Sequence, residues 1–155
     1  GEVILRCPRR MGDEQITAFL RRQEGWIRKH CKPVEAVEPF SALELEEILR
    51  KAQASLPQRV AFWAQRIGVR YGRITIRCQK TRWGSCSSKG NLNFNCTLVL
   101  APQAVMDYVI IHELCHRKEM NHSPRFWAEV EKYCPDHKNC RSWLKANSQK
   151  LIGRL

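Results

Sequence analysis

No run of apolar side chains in the 155 residues approaches the roughly 18 that a membrane-spanning helix needs, which excludes that class of membrane protein. The opening residues, beginning at Gly1, lack the charged, then apolar, then small-residue order of a secretory leader, and the expectation is a cytoplasmic protein. Internal repeats, low-complexity tracts and linker-like stretches are also missing, so repeat arrays and beads on a string are excluded. One domain over residues 1–155 is expected, with a strand and helices in 1–70 and a sheet and site-bearing helices in 71–155. Carboxylates are scarce: 15 Asp and Glu stand against 27 Lys and Arg, giving a formal net charge of +12. That field favours anionic partners, nucleic acid among them, and is densest from Arg66 through Arg70, Arg73, Arg77 and Lys80 to Arg82. Read more plainly, it is a solvated basic surface.

Eight cysteines are present, an even number. A chain of this size with 43% hydrophobic residues does not depend on a disulfide framework, so all eight are expected as thiols in a reducing compartment.

Periodicity divides the chain into elements. Val3–Cys7 reads as a strand. Asp13 is placed as the cap of a helix carrying Ile16, Phe19, Leu20, Gln23, Ile27 and His30, closed by Pro33. Ser41, with Glu44 three residues on, has the spacing of a capping box, and Pro57 is expected to break or restart the helix it opens before Gly68. The period then changes to two. Strands are expected at Arg73–Cys78 and Asn91–Leu100, with Ser87-Ser88-Lys89-Gly90 as a hairpin turn and Asn91, Asn93, Asn95 and Thr97 along one face. A long helix follows from Pro102 to about Met120, then helices at Pro124–Tyr133 and about Arg141–Ile152. The fold class is α+β.

Chemistry concentrates in His112-Glu113-Leu114-Cys115-His116. On a helix, residues four apart stand one turn above another, so two imidazoles can bind one zinc ion while Glu113 reaches a water held by the metal. Tyr108, Val109, Ile110 and Ile111 precede the motif without a polar break, which implies a helix buried nearly all round. Polar groups there are costly unless a cation satisfies them. A catalytic site needs a third ligand and an open position. His122 supplies it if the chain turns: Asn121 tolerates a left-handed helix end, Ser123 is a good cap and Pro124 a good first residue of the next helix. Cys134, His137 and Cys140 offer three further donors, but without a fourth they are read as a plain loop.

Thr81-Arg82-Trp83-Gly84-Ser85-Cys86, Asn95, Asp107-Tyr108-Val109, the histidine motif, Asn121-His122-Ser123 and Phe126-Trp127 together resemble the YgjP-like metallopeptidases, a family of predicted metal-dependent hydrolases. The likeness spans essentially the whole chain. It implies a zincin-like domain, with a small antiparallel or mixed sheet packed on an active-site helix and a helical N-terminal extension. It also implies one zinc per chain on His112, His116 and His122. A more distant similarity connects the family to SprT-type proteases, which act on DNA-bound proteins. The ligand spacing matches that of metzincins too, but Glu119 stands where they carry glycine.

The expected activity is zinc-dependent peptide hydrolysis, with Glu113 accepting the proton of the metal-bound water and a protein or peptide as partner. Two other activities use the same chemistry: hydrolysis of a non-peptide amide or ester, and proteolysis of proteins bound to nucleic acid. Arg82 and Trp83 either line the site or hold the turn. Tyr108 and Tyr133 are the candidates for a second donor to the transition state. The strand at 91–100 is a candidate edge for an extended peptide.

Overall fold

A computed structural model describes residues 5–8, 10–30 and 37–155, and these fall into two compact units, 1–36 and 37–155. In the first unit, α1 (Asp13–His30) begins at the residue expected to cap it. Gly12 takes the capping place, its carbonyl accepting from the Gln15 and Ile16 amides. Asp13 and Glu14 then sit in the first turn, where the helix dipole favours negative charge. Ile16, Leu20, Gln23 and Ile27 form a half-buried stripe, whereas Phe19 is exposed. Leu5–Cys7 form no strand; Val3 and Ile4 of that expected element, and Pro33, lie outside the described residues.

The second unit opens with α2 (Ala42–Ile67). The Ser41 hydroxyl accepts from the Glu44 amide and the Glu44 carboxylate accepts from the Ser41 amide, so the capping box forms. The far end is closed by Gly68 in the left-handed region (φ 74°), which needs no Cβ. Pro57 does not break this helix. Its missing N–H removes the partner of the Gln53 carbonyl, but Gln53 is exposed, and the fully buried neighbours Leu56 and Val60 hold the axis together. Ile48, Ala52, Leu56, Val60, Ala64 and Ile67 make its buried ridge.

Three strands form a mixed sheet in the order β1–β3–β2: β1 (Ile74–Arg77), β2 (Gly84–Cys86) and β3 (Leu92–Asn95). The hairpin turn at Ser87–Gly90 is present, with Gly90 at φ 84°. It joins β2 to β3, pairing Gly84 with Phe94 and Cys86 with Leu92. The strand at Arg73–Cys78, shortened to β1, instead pairs in parallel with β3, Ile74 opposite Leu92 and Arg77 opposite Asn95.

The expected strand to Leu100 stops at Asn95 because the Asn95 side chain starts a 3-10 helix, Cys96–Leu100, by accepting from the Thr97 amide at 3.0 Å and hydroxyl at 2.8 Å. Its amide donates to the carbonyls of Gln79 and Arg82 at 2.6 and 3.2 Å. Asn95 and Thr97 are therefore fully buried rather than facing a cleft or solvent. Replacing Asn95 by Ala strands these groups and is expected to cost about 3 kcal/mol in urea unfolding; a loss below about 1 kcal/mol would show that the 79–82 loop is held otherwise.

Behind the sheet, α3 (Gln103–Cys115) is buried on nearly every side, and α2 is tied to it by an Arg59–Asp107 pair. α3 ends five residues short of Met120, since the amides of Arg117, Lys118 and Glu119 fold back onto Leu114 and Cys115. Two helices complete the unit, α4 (Pro124–Tyr133) and α5 (His137–Leu151), the latter starting sooner than Arg141 because the Asp136 carbonyl accepts from Asn139 and Cys140. No helix among the described residues is long and apolar enough to cross a membrane. The seven described cysteines are free thiols.

Candidate metal centre

His112 lies in the last turn of α3 and His116 caps it, so the two rings share one helix face, edge to face, with centroids 5.0 Å apart. The chain then turns. Ser123 caps α4 by accepting from the Phe126 amide, and Pro124 occupies its first turn. Asn121 contributes through its side chain, accepting from the Ser123 amide at 3.2 Å; no described non-glycine residue is left-handed, so the expected left-handed helix end is not used. His122 sits at this corner and turns back, its Nε2 3.1 Å from Nε2 of His112 and its ring centroid 4.8 Å from that of His116. One nitrogen from each ring lies within 4.8 Å of the others, the one such metal-holding group among the described residues. Phe126, fully buried, floors all three rings, with centroids at 4.8, 4.5 and 4.8 Å.

The donor set fits a divalent ion. Tetrahedral zinc with nitrogens at 2.0–2.1 Å holds them roughly 3.3 Å apart, close to the His112–His122 separation. Burial, reinforced by its two histidine neighbours, pushes His112 down to about 3, and burial also lowers His116, so both rings are neutral near pH 7. The Glu119 carbonyl lies 3.1 Å from Nδ1 of His116, which fixes the proton there and leaves Nε2 a lone pair for a metal. Nδ1 of His112 is buried without a protein partner.

Glu113, only 6% exposed, is pushed up to about 8 by burial, partly offset by the positive charge of Arg82. It borders two small cavities. One, of about 260 Å³, holds the histidine triad, Met120 and all of β2. The other, of about 160 Å³, is walled by Trp83, Tyr108, Val109 and Leu144. Gly84 permits this arrangement, because a Cβ there would stand 2.8 Å from Oε1 and 2.9 Å from Cγ of Glu113. Gly84→Ala is therefore expected to displace the carboxylate and cut turnover about a hundredfold while metal content stays unchanged; wild-type turnover in this variant would mean that the position of Glu113 is not critical.

Sequence reasoning brought His112, Glu113, His116 and His122 together, and the structure does the same. Trp83 lines the second cavity, while Arg82 acts at a distance on Glu113 and gives its carbonyl to Asn95. Of the two tyrosines, Tyr108 borders Glu113, whereas Tyr133 lies under the Lys118 ammonium, 5.8 Å from the ring centroid. Cys134, His137 and Cys140 do not converge as a metal group; His137 opens α5 and stacks on Trp127 at 5.5 Å. Missed from the sequence were β2, Met120 and Leu144. Three strand residues are too few to show a period, and nothing local marks the other two.

Comparison with known proteins accords with this geometry. A sequence family described as "YgjP-like, metallopeptidase domain" matches residues 41–147. The fold resembles the metallopeptidase zymogen of Pyrococcus abyssi, abylysin, at 25% identity and a TM-score of 0.55, covering 60% of this chain and 94% of that one. It also resembles the metallopeptidase zymogen of Methanocaldococcus jannaschii, jannalysin, at 22% identity and a TM-score of 0.52, covering 63% and 98%. The zincin-like α+β fold expected from the family resemblance is the one observed. Among curated protein sequences none matches.

Proposed function

Since the chain belongs to the YgjP-like metallopeptidases, we propose that it is a zinc peptidase in which His112, His116 and His122 hold the metal and Glu113 is the general base. The observation that carries this reading is the convergence of three imidazole nitrogens within 4.8 Å beside a buried carboxylate. A zinc ion held there would supply a Lewis acid that lowers the pKa of water to about 7 and polarises a carbonyl. Glu113 takes the proton from the attacking water on its carboxylate and delivers it to the leaving amine nitrogen. Arg82 favours the ionised form that can accept this proton. Tyr108, kept a phenol by burial that pushes it up to about 12, is the donor available on the side of the second cavity.

The expected peptide-binding edge moves from the 91–100 strand to β2. β3 is the central strand, paired on both sides, so it has no edge to offer. Among the described residues no strand pairs with the outer side of β2, which borders the cavity with the triad. An extended substrate pairing with β2 places its scissile bond over the histidines and one side chain in the cavity of Trp83, Tyr108 and Leu144. That cavity takes a medium apolar side chain, and a strand edge beside the site favours a peptide over a small amide or ester.

A mixed peptide library tests the proposal. Cleavage is expected in the zinc-loaded enzyme, is expected to fall below detection after chelation, and is expected to return with one equivalent of zinc. Hydrolysis that survives complete removal of metal would overturn the reading.

A further inference from the structure

Only one of the two free edges of the sheet belongs to the metal centre. With the order β1–β3–β2, β1 lies on the other side. A groove of about 500 Å³ runs along it, lined by residues 73–77 and by Gln53 and Pro57 of α2. All four residues of β1 and Arg73 before it line the groove, and their side chains alternate between the two faces, so the groove follows the edge of the strand rather than one face.

Main-chain groups alternate along a strand as well. The Arg73 carbonyl accepts from Leu92 of β3, so the N–H and C=O of Ile74 and Ile76 turn outward. Among the described residues no strand pairs with them. Across the groove, Pro57 has no N–H to give the Gln53 carbonyl, which is left without its usual partner four residues on. The β1 wall offers main-chain donors and acceptors to a ligand.

The charge around the groove has one sign. From Ile48 to Met106 the sequence contains no aspartate or glutamate, and every ionised side chain is lysine or arginine. Arg73 and Arg77, both exposed, stand four residues apart on one face of the strand. Among the described residues neither joins an ion pair.

We infer that this groove docks an extended acidic segment of a partner polypeptide as a fourth strand beside β1, with its carboxylates on Arg73 and Arg77. Strand addition satisfies the outward N–H and C=O groups together at strand spacing, which a polypeptide backbone does and a phosphate backbone does not. Phosphate oxygens only accept, so the outward carbonyls of Ile74 and Ile76 repel a phosphate backbone. β1 has four residues, about 13 Å of strand, which matches a docking segment of four or five residues. This inference does not rest on the peptidase reading, because the groove lies across the sheet from the histidines.

The test is binding by the full chain, followed by fluorescence anisotropy. The probe is a labelled decapeptide of alternating Glu and Val. Saturable binding is expected, weakened at least tenfold when every second amide of the probe is N-methylated, and at least tenfold in the Arg73→Glu/Arg77→Glu variant. Both arginines are exposed, so the variant is expected to keep its unfolding midpoint; Arg73→Gln/Arg77→Gln serves if it does not. A Lys-Val decapeptide is expected not to bind. Equal affinity for the N-methylated probe, or displacement of the peptide by a ten-nucleotide single strand at equal concentration, would replace strand docking with a general polyanion surface and overturn the inference. Binding that ignores both arginines would overturn it as well.

Discussion

Glu113→Gln is expected to lower kcat by about a thousandfold while metal content stays near one ion per chain, because the amide keeps the shape of the carboxylate but takes no proton. The variant and the wild type should be assayed on one peptide, with metal measured on the same samples. A Gln variant within about tenfold of wild type would remove Glu113 from the mechanism. The same substitution has a second, opposite effect on the metal-free chain. Glu113 is held at about 8 in the fold against an ordinary value of 4.5. Between those values the unfolded chain has released a proton that the folded chain keeps, so wild-type stability falls as pH rises through that window and levels off above it. A glutamine has no proton to release. In chelator, the variant is expected to match wild type near pH 4.5 and to exceed it by on the order of 4 to 5 kcal/mol at pH 8 and above. A gap that does not change with pH would mean that the carboxylate already ionises freely in the empty site.

His122→Ala is expected to weaken metal binding by at least about a hundredfold, since outer-shell partners of ligands alone are worth 10–100-fold. Metal content after dialysis should drop from about one to near zero, and turnover with it. The fold should survive. His122 is exposed at a corner already held by the Ser123 cap and the Asn121 side chain, so metal-free wild type and variant are expected to unfold within about 1 kcal/mol of each other. His137→Ala serves as the contrast: its ring stacks on Trp127 outside the triad, and metal content is expected not to change. Full metal occupancy in His122→Ala would sink the three-histidine assignment.

The site was more legible than the sheet, for physical reasons. His112 and His116 were readable because helical spacing is a local property, and His122 because Ser123 and Pro124 announce a helix start within the same short stretch. The sheet depends on residues far apart. Parallel pairing of β1 with β3 needs a crossover from Cys78 to Asn91, and no local signal separates it from the hairpin expected there. From sequence alone the central strand therefore reads as an edge. Alternation at Asn91, Asn93 and Asn95 suggested a polar face, yet Asn95 turns inward because its amide serves the 79–82 loop and its carbonyl opens the 3-10 helix. Pro57 misleads in the other direction: a helix held by a long buried ridge tolerates the loss of one carbonyl partner at an exposed position beside it.

The corner that carries His122 has a consequence for how the protein acquires its ion. Only nine residues lie between the outer ligands His112 and His122, and main-chain and capping hydrogen bonds already fix the path between them. Little chain entropy remains to be lost when the cation arrives. Loading should therefore resemble filling a rigid socket, fast and reversible, and one ion should exchange for another, such as cobalt for spectroscopy, without the polypeptide passing through a denatured state.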